Sequence, residues 1–104
     1  MDVVPAGRRA GNRVTELGAP VRPRTELEAE LLEMWSDRVE VAPLGVTDHF
    51  FALGGDSLLA VRLVAAAQKR YGVRLDRRRL FASFTVAVMA DLVSEALGRA
   101  DEQA

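Results

Sequence analysis

The chain has 104 residues, 49% of them hydrophobic, with no cysteine and one histidine, His49; that allows one small core and excludes disulfides, thiolate metal sites and multi-histidine zinc sites. Its net charge of −1 is uneven: up to Arg24 five arginines face Asp2 and Glu16, whereas from Thr25 onward nine basic residues face thirteen acidic ones, a poor match to the basic face of a nucleic-acid binder. No apolar run nears the roughly 20 residues that span a bilayer, and Met1 to Ala10 lacks the apolar stretch of a secretory signal, so a soluble cytoplasmic protein is expected.

Residues 1–24 show no apolar periodicity, and Pro5, Gly7, Gly11, Gly18, Pro20 and Pro23 interrupt any regular element. They read as a flexible tail or linker, with order beginning at Thr25. Thr25 and Glu28 match a capping box. Behind it Leu27, Leu31, Met34 and Trp35 form one helical stripe, with the helix expected to end near Val39. Glu26, Glu28, Glu30 and Glu33 fill its first half, where they favour the positive end of the helix dipole.

A long connection runs from Glu40 to Gly55. It is not purely polar: Val41, Leu44, Val46, Phe50, Phe51 and Leu53 are costly to expose, so the loop is expected to be pinned to the core with both phenylalanines turned inward. A second helix is expected from Asp56 or Ser57 to about Tyr71, stopped by Gly72, with Ala60, Leu63, Val64, Ala67 and Tyr71 as its buried stripe. Asp76 is placed to cap a short third helix through Leu80 and Phe81. Thr85 is placed to cap a fourth, on which Val86, Met89, Ala90, Val93 and Leu97 recur at helical spacing. No strand pattern competes. The predicted fold is all-α, a small bundle of three main helices and one short one over residues 25–98, with residues 99–104 as a C-terminal tail.

The chemistry concentrates in Asp48-His49-Phe50-Phe51-Ala52-Leu53-Gly54-Gly55-Asp56-Ser57-Leu58. Gly54 and Gly55 are read as removing side-chain bulk beside the serine, so that a large partner can approach the backbone. Asp56 can cap the following helix. Ser57 then stands where free amides and the helix dipole favour a phosphate. Taken alone, Gly-Gly-Asp-Ser before an apolar run is also simply a turn followed by a capped helix.

The longer stretch resembles the 4′-phosphopantetheine attachment motif of carrier proteins, in the form Phe-Phe-x-Leu-Gly-Gly-Asp-Ser-Leu typical of peptidyl carrier (thiolation) domains of nonribosomal peptide synthetases. The resemblance spans about Pro23 to Leu97: the acidic first helix with Trp35, Gly45-Val46-x-Asp48, the motif itself, Tyr71-Gly72, and Leu80-Phe81 before Thr85. Two departures stand out: Glu40 occupies a place where many members have glycine, and Phe84 one where proline commonly precedes the last helix. The tail at Gly11 to Pro20 only faintly resembles the end of an adenylation domain and lacks its lysine.

The resemblance implies a four-helix bundle of the acyl-carrier-protein type, with Ser57 as the covalent attachment point and Gly54, Gly55, Asp56 and Leu58 as the motif around it. It implies a phosphopantetheinyl transferase that uses Mg²⁺ and coenzyme A to install the arm, whose thiol then holds aminoacyl or peptidyl thioesters. No catalytic residue and no resident metal are expected of the carrier itself, and His49 is read as a loop residue. Implied partners are an adenylation domain and condensation, epimerisation, thioesterase or tailoring enzymes, met by a monomer; Asp56 before the serine is a family habit of carriers upstream of epimerisation. Leu58, Val61, Arg62 and Phe81 are the expected partner surface, the alternative for the three apolar ones being ordinary core. Arg77, Arg78 and Arg79 read either as a basic rim for a partner or coenzyme A phosphates, or as a solvated face.

Three rival functions have sequence consequences. A serine hydrolase needs a nucleophile elbow, but Gly55-Asp56-Ser57-Leu58-Leu59 lacks its second glycine and no strand is predicted to support it. A helical interaction module would leave Ser57 unmodified. An acyl carrier of polyketide or fatty-acid synthesis is the nearest alternative, against which the doubled glycine and Phe50-Phe51 favour the peptidyl type.

Overall fold

The computed structural model describes residues 19–39 and 43–103. Residues 1–18 of the expected linker, and Glu40 and Val41 of the long connection, lie outside the described residues. Among the described residues four α-helices follow one another: α1 (Glu26–Ser36), α2 (Ser57–Tyr71), α3 (Arg77–Ala82) and α4 (Val86–Gln103), with a 3-10 turn at Phe50–Leu53. Among the described residues there is no strand, and no helix is long and apolar enough to cross a membrane.

Each helix starts where a short polar side chain can accept an otherwise orphaned amide. Thr25 accepts from Glu28 N at 3.0 Å, Asp56 from Leu59 N at 2.8 Å, Asp76 from Arg79 N at 3.2 Å and Thr85 from Val88 N at 3.1 Å. The expected capping box at α1 is only half formed. Glu28 does not reach back to the Thr25 amide; its carboxylate accepts from the Arg24 amide at 2.7 Å and from the Arg24 guanidinium at 2.9 Å. That hydrogen bond holds the Glu28 carboxyl below its ordinary pKa although burial opposes the shift.

Three boundaries differ from expectation. First, α1 stops at Ser36, short of Val39: the Trp35 carbonyl is shared between Arg38 N, three residues on at 2.9 Å, and Val39 N, four residues on at 3.0 Å, and the first of these bonds tightens the last turn. Second, α4 continues to Gln103, so its backbone is helical through residues 99–103, set apart above as a tail. Third, order begins before Thr25: Val21 O accepts from Val46 N at 2.9 Å, tying the end of the linker to the long connection.

The core is one cluster in which Trp35, Phe50 and Phe84 meet. Ring centroids lie 5.3 Å apart for Trp35–Phe50, 5.5 Å for Trp35–Phe84 and 5.0 Å for Phe50–Phe84. Leu31 and Met34 of α1, Leu63 and Val64 of α2, Leu80 of α3 and Met89 and Val93 of α4 close around them. The Trp35 indole N–H is met by Met89 Sδ at 3.5 Å, so this buried donor has a partner. Leu97, which recurs at helical spacing with Val86, Met89, Ala90 and Val93, is exposed whereas those four are buried. Two polar ties add to the apolar packing: Tyr71 donates to Glu30 across α2 and α1 at 2.8 Å, and Arg79 forms a two-pronged pair with Glu95 across α3 and α4.

Candidate functional site

The loop before α2 is held at three points. Gly45 N donates to the buried Asp48 carboxylate at 2.8 Å, Ala87 N to Val46 O at 2.9 Å, and Phe50 N to Phe84 O at 2.8 Å. The last two bonds fasten the loop to the start of α4, so the aromatic residues that follow are placed by backbone as well as by packing. His49 is exposed at the entrance of the 3-10 turn, beside but not within this framework.

The turn then separates the two phenylalanines. With three residues per turn, Phe50 and Leu53 share a face and Phe51 cannot join them. Phe50 and Leu53 are buried, while Phe51 is 45% exposed, contrary to the expectation that both rings point inward. Phe51 lies over Phe84 and Phe81 instead, at centroid distances of 5.8 and 6.4 Å.

Gly54 and Gly55 turn out to serve different ends. Gly54 closes the turn with φ +91°, a left-handed conformation natural to glycine, and nothing lies within 4 Å of where its side chain would be. Gly55 has no such freedom: an added Cβ would enter the Phe50 ring. Of the two glycines expected to open the backbone, only Gly54 has open space beside it. Gly55 is small because the core aromatic packs directly on it.

Ser57 follows as the first residue of α2 and is exposed. Asp56 closes the Leu59 amide, which leaves those of Ser57 and Leu58 at the open mouth of the helix. A phosphate on the Ser57 hydroxyl would meet these amides and the positive end of a 15-residue helix. The residues present thus fit a phosphodiester at this oxygen.

Leu58, Val61 and Phe81 are 61%, 49% and 40% exposed, so none of the three is ordinary core. Leu58, Val61 and the exposed Arg62 are three and four residues apart and share the outer face of α2. Phe81 reaches the site from α3 through Phe51 and through an edge-on contact with Phe84 at 4.9 Å. Phe51 is the residue that sequence reasoning missed; the signal was its place in a four-residue turn between His49 and the glycine pair.

A bundle that presents an outward serine at a helix mouth, on a loop locked to its core, has the architecture of a carrier. The phosphopantetheine attachment site family matches residues 29–93, a span that includes the whole motif, and the chain belongs to that family. Within it, the likeness is to peptidyl carriers. The chain is 43% identical over 76 residues to tyrocidine synthase 3 of Brevibacillus parabrevis, covering 73% of this chain and 1% of that protein. It is 35% identical to a peptidyl carrier protein described as a prototype for the peptidyl carrier domains of modular peptide synthetases, with a TM-score of 0.62 over 71% of this chain and 97% of that one. A chain in the complex of the phosphopantetheine transferase Sfp with coenzyme A and a peptidyl carrier protein gives a TM-score of 0.67 at 33% identity, covering 72% and 97%. Carriers of this family are non-catalytic and bear 4′-phosphopantetheine.

Proposed function

We propose that Ser57 is the residue that bears the phosphopantetheine arm, and that the chain shuttles aminoacyl or peptidyl thioesters between the enzymes of a nonribosomal peptide synthetase. The observation that carries this reading is the exposed Ser57 at the open mouth of α2. The arm supplies the thiol that a chain without cysteine lacks. Ser57 contributes its oxygen, Asp56 holds the first turn of α2 in place, and Gly54 leaves space beside the site. The base and Mg²⁺ that activate the hydroxyl belong to the phosphopantetheinyl transferase, so the carrier needs neither.

Leu58, Val61, Arg62 and Phe81, joined by Phe51, form the surface that the transferase and the synthetase enzymes meet. An adenylation domain loads the thiol; condensation, epimerisation, thioesterase or tailoring enzymes receive from it. Residues 25–98 hold the carrier unit, which the Val21–Val46 bond and the last turn of α4 extend on either side, and the residues before it are its linker. The test is intact mass after incubation with Sfp, Mg²⁺ and coenzyme A. Wild type gains one phosphopantetheine and Ser57→Ala gains none; an unmodified wild type would remove the carrier reading.

A further inference from the structure

We infer that the surface around Ser57 docks a partner protein whose own contact face has an apolar centre edged by carboxylates. The inference rests on Ser57 being the attachment point, and it adds the charge of the partner. Leu58 and Val61 supply the apolar centre on α2, with Arg62 on the same face one turn from Leu58. On α3, Arg77 and Arg78 precede Phe81 by four and three residues, so they stand one turn away along the same short helix. Phe81 lies over Phe51, in the 3-10 turn that leads to Ser57, at 6.4 Å. Around Ser57, exposed apolar residues thus stand beside cations on both helices, Leu58 and Val61 with Arg62 on α2 and Phe81 with Arg77 and Arg78 on α3.

The arginines of α3 are placed against local physics. Arg77, Arg78 and Arg79 open the helix, where cations oppose the positive end of the dipole. Arg79 is compensated by Glu95 at 2.8 and 3.1 Å. Arg77 and Arg78 are exposed and have no acidic partner among the described residues, and the same is true of Arg62. Asp56 and Asp76 each accept the amide that caps a helix, and neither forms an ion pair with Arg62, Arg77 or Arg78. Unpaired charge kept where it weakens its own helix marks a binding function. Carboxylates on a protein suit it, because guanidinium groups bind them in two-pronged geometry.

The test follows backbone amide NMR signals of the full chain at low salt, during titration with a synthetic peptide of alternating leucine and glutamate. Shifts should concentrate on Leu58, Val61, Arg62, Arg77, Arg78 and Phe81, and binding should weaken about tenfold in the double variant Arg77→Gln, Arg78→Gln. Equal binding of the same peptide with lysine for glutamate, absence of binding, or shifts spread evenly over Arg22, Arg38 and Arg99 would overturn the inference. So would tighter binding of adenosine 3′,5′-bisphosphate at these residues, which would assign the cations to a nucleotide. The double variant should melt no lower than wild type; a lower midpoint would mean that the arginines serve the fold. The endpoint mass gain at Ser57 with Sfp and coenzyme A, measured on both proteins, reports separately on the attachment itself.

Discussion

Gly55 and Gly54 are adjacent, yet substitution should act on them by different routes. Alanine at Gly55 must displace the Phe50 ring from the centre of the core, an overpacking cost of about 1–3 kcal/mol. Alanine at Gly54 meets open space and bears only the strain of φ +91°, about 1–2 kcal/mol, with asparagine tolerated better. Urea unfolding followed by circular dichroism should rank Gly55→Ala as the less stable of the two. Tyr71 offers a second single-residue test, through pH. Burial first, and then donation to the Glu30 carboxylate, push its phenol from 10.0 up to about 12. The folded state therefore keeps a proton that the unfolded chain releases near the ordinary value, so this contribution is complete below pH 10 and is lost as pH rises towards 12. Tyr71→Phe should cost about 0.5–1.5 kcal/mol at neutral pH and flatten the loss of stability across that alkaline window, as read from denaturation midpoints against pH.

At the scale of elements, what was legible in the sequence was what a few neighbouring residues decide. Thr25, Asp56, Asp76 and Thr85 each cap the helix that their position announces, because an N-cap bond spans only three residues. The exposed serine at the start of α2 follows from the same local logic. What was not legible depends on contacts between distant segments. Tyr71 meets Glu30 from 41 positions away, and Val21 meets Val46 across the whole of α1. The outward turn of Phe51 required knowing that the turn is 3-10, and the crowding at Gly55 required knowing that Phe50 folds back over it. Phe84 shows what such long-range packing is worth. It stands before α4, is buried against Trp35 and Phe50, and lends its carbonyl to Phe50 N. Phe84→Ala should cost about 3–5 kcal/mol, a large share of the roughly 5–15 kcal/mol that stabilises a domain of this kind. The loop that presents Ser57 should loosen first, detectable as faster amide exchange at Phe50 and Gly55 before α1 is affected.

For the molecule as a whole, the site and the core share almost no side chains. Ser57, Leu58 and Val61 face outward from α2, whereas Ala60, Leu63, Val64 and Ala67 of the same helix hold the bundle. A helix divided in this way can bear a modification on its outer face without repacking its interior. The division has a measurable consequence for modification itself. Attaching a phosphodiester to Ser57 places negative charge at the mouth of α2, beside the amides of Ser57 and Leu58 that Asp56 leaves open. An anion at an exposed helix N-terminus contributes about 0.3–1 kcal/mol, which for a domain of this size raises the melting midpoint by roughly 1–8 °C. Calorimetry on apo and modified protein from one preparation should therefore show the modified form melting higher, with amide shifts confined to the stretch around Ser57. A lower midpoint, or shifts reaching Trp35 and Phe84, would mean that the hydroxyl takes part in packing and that the outer and inner faces of α2 are not independent.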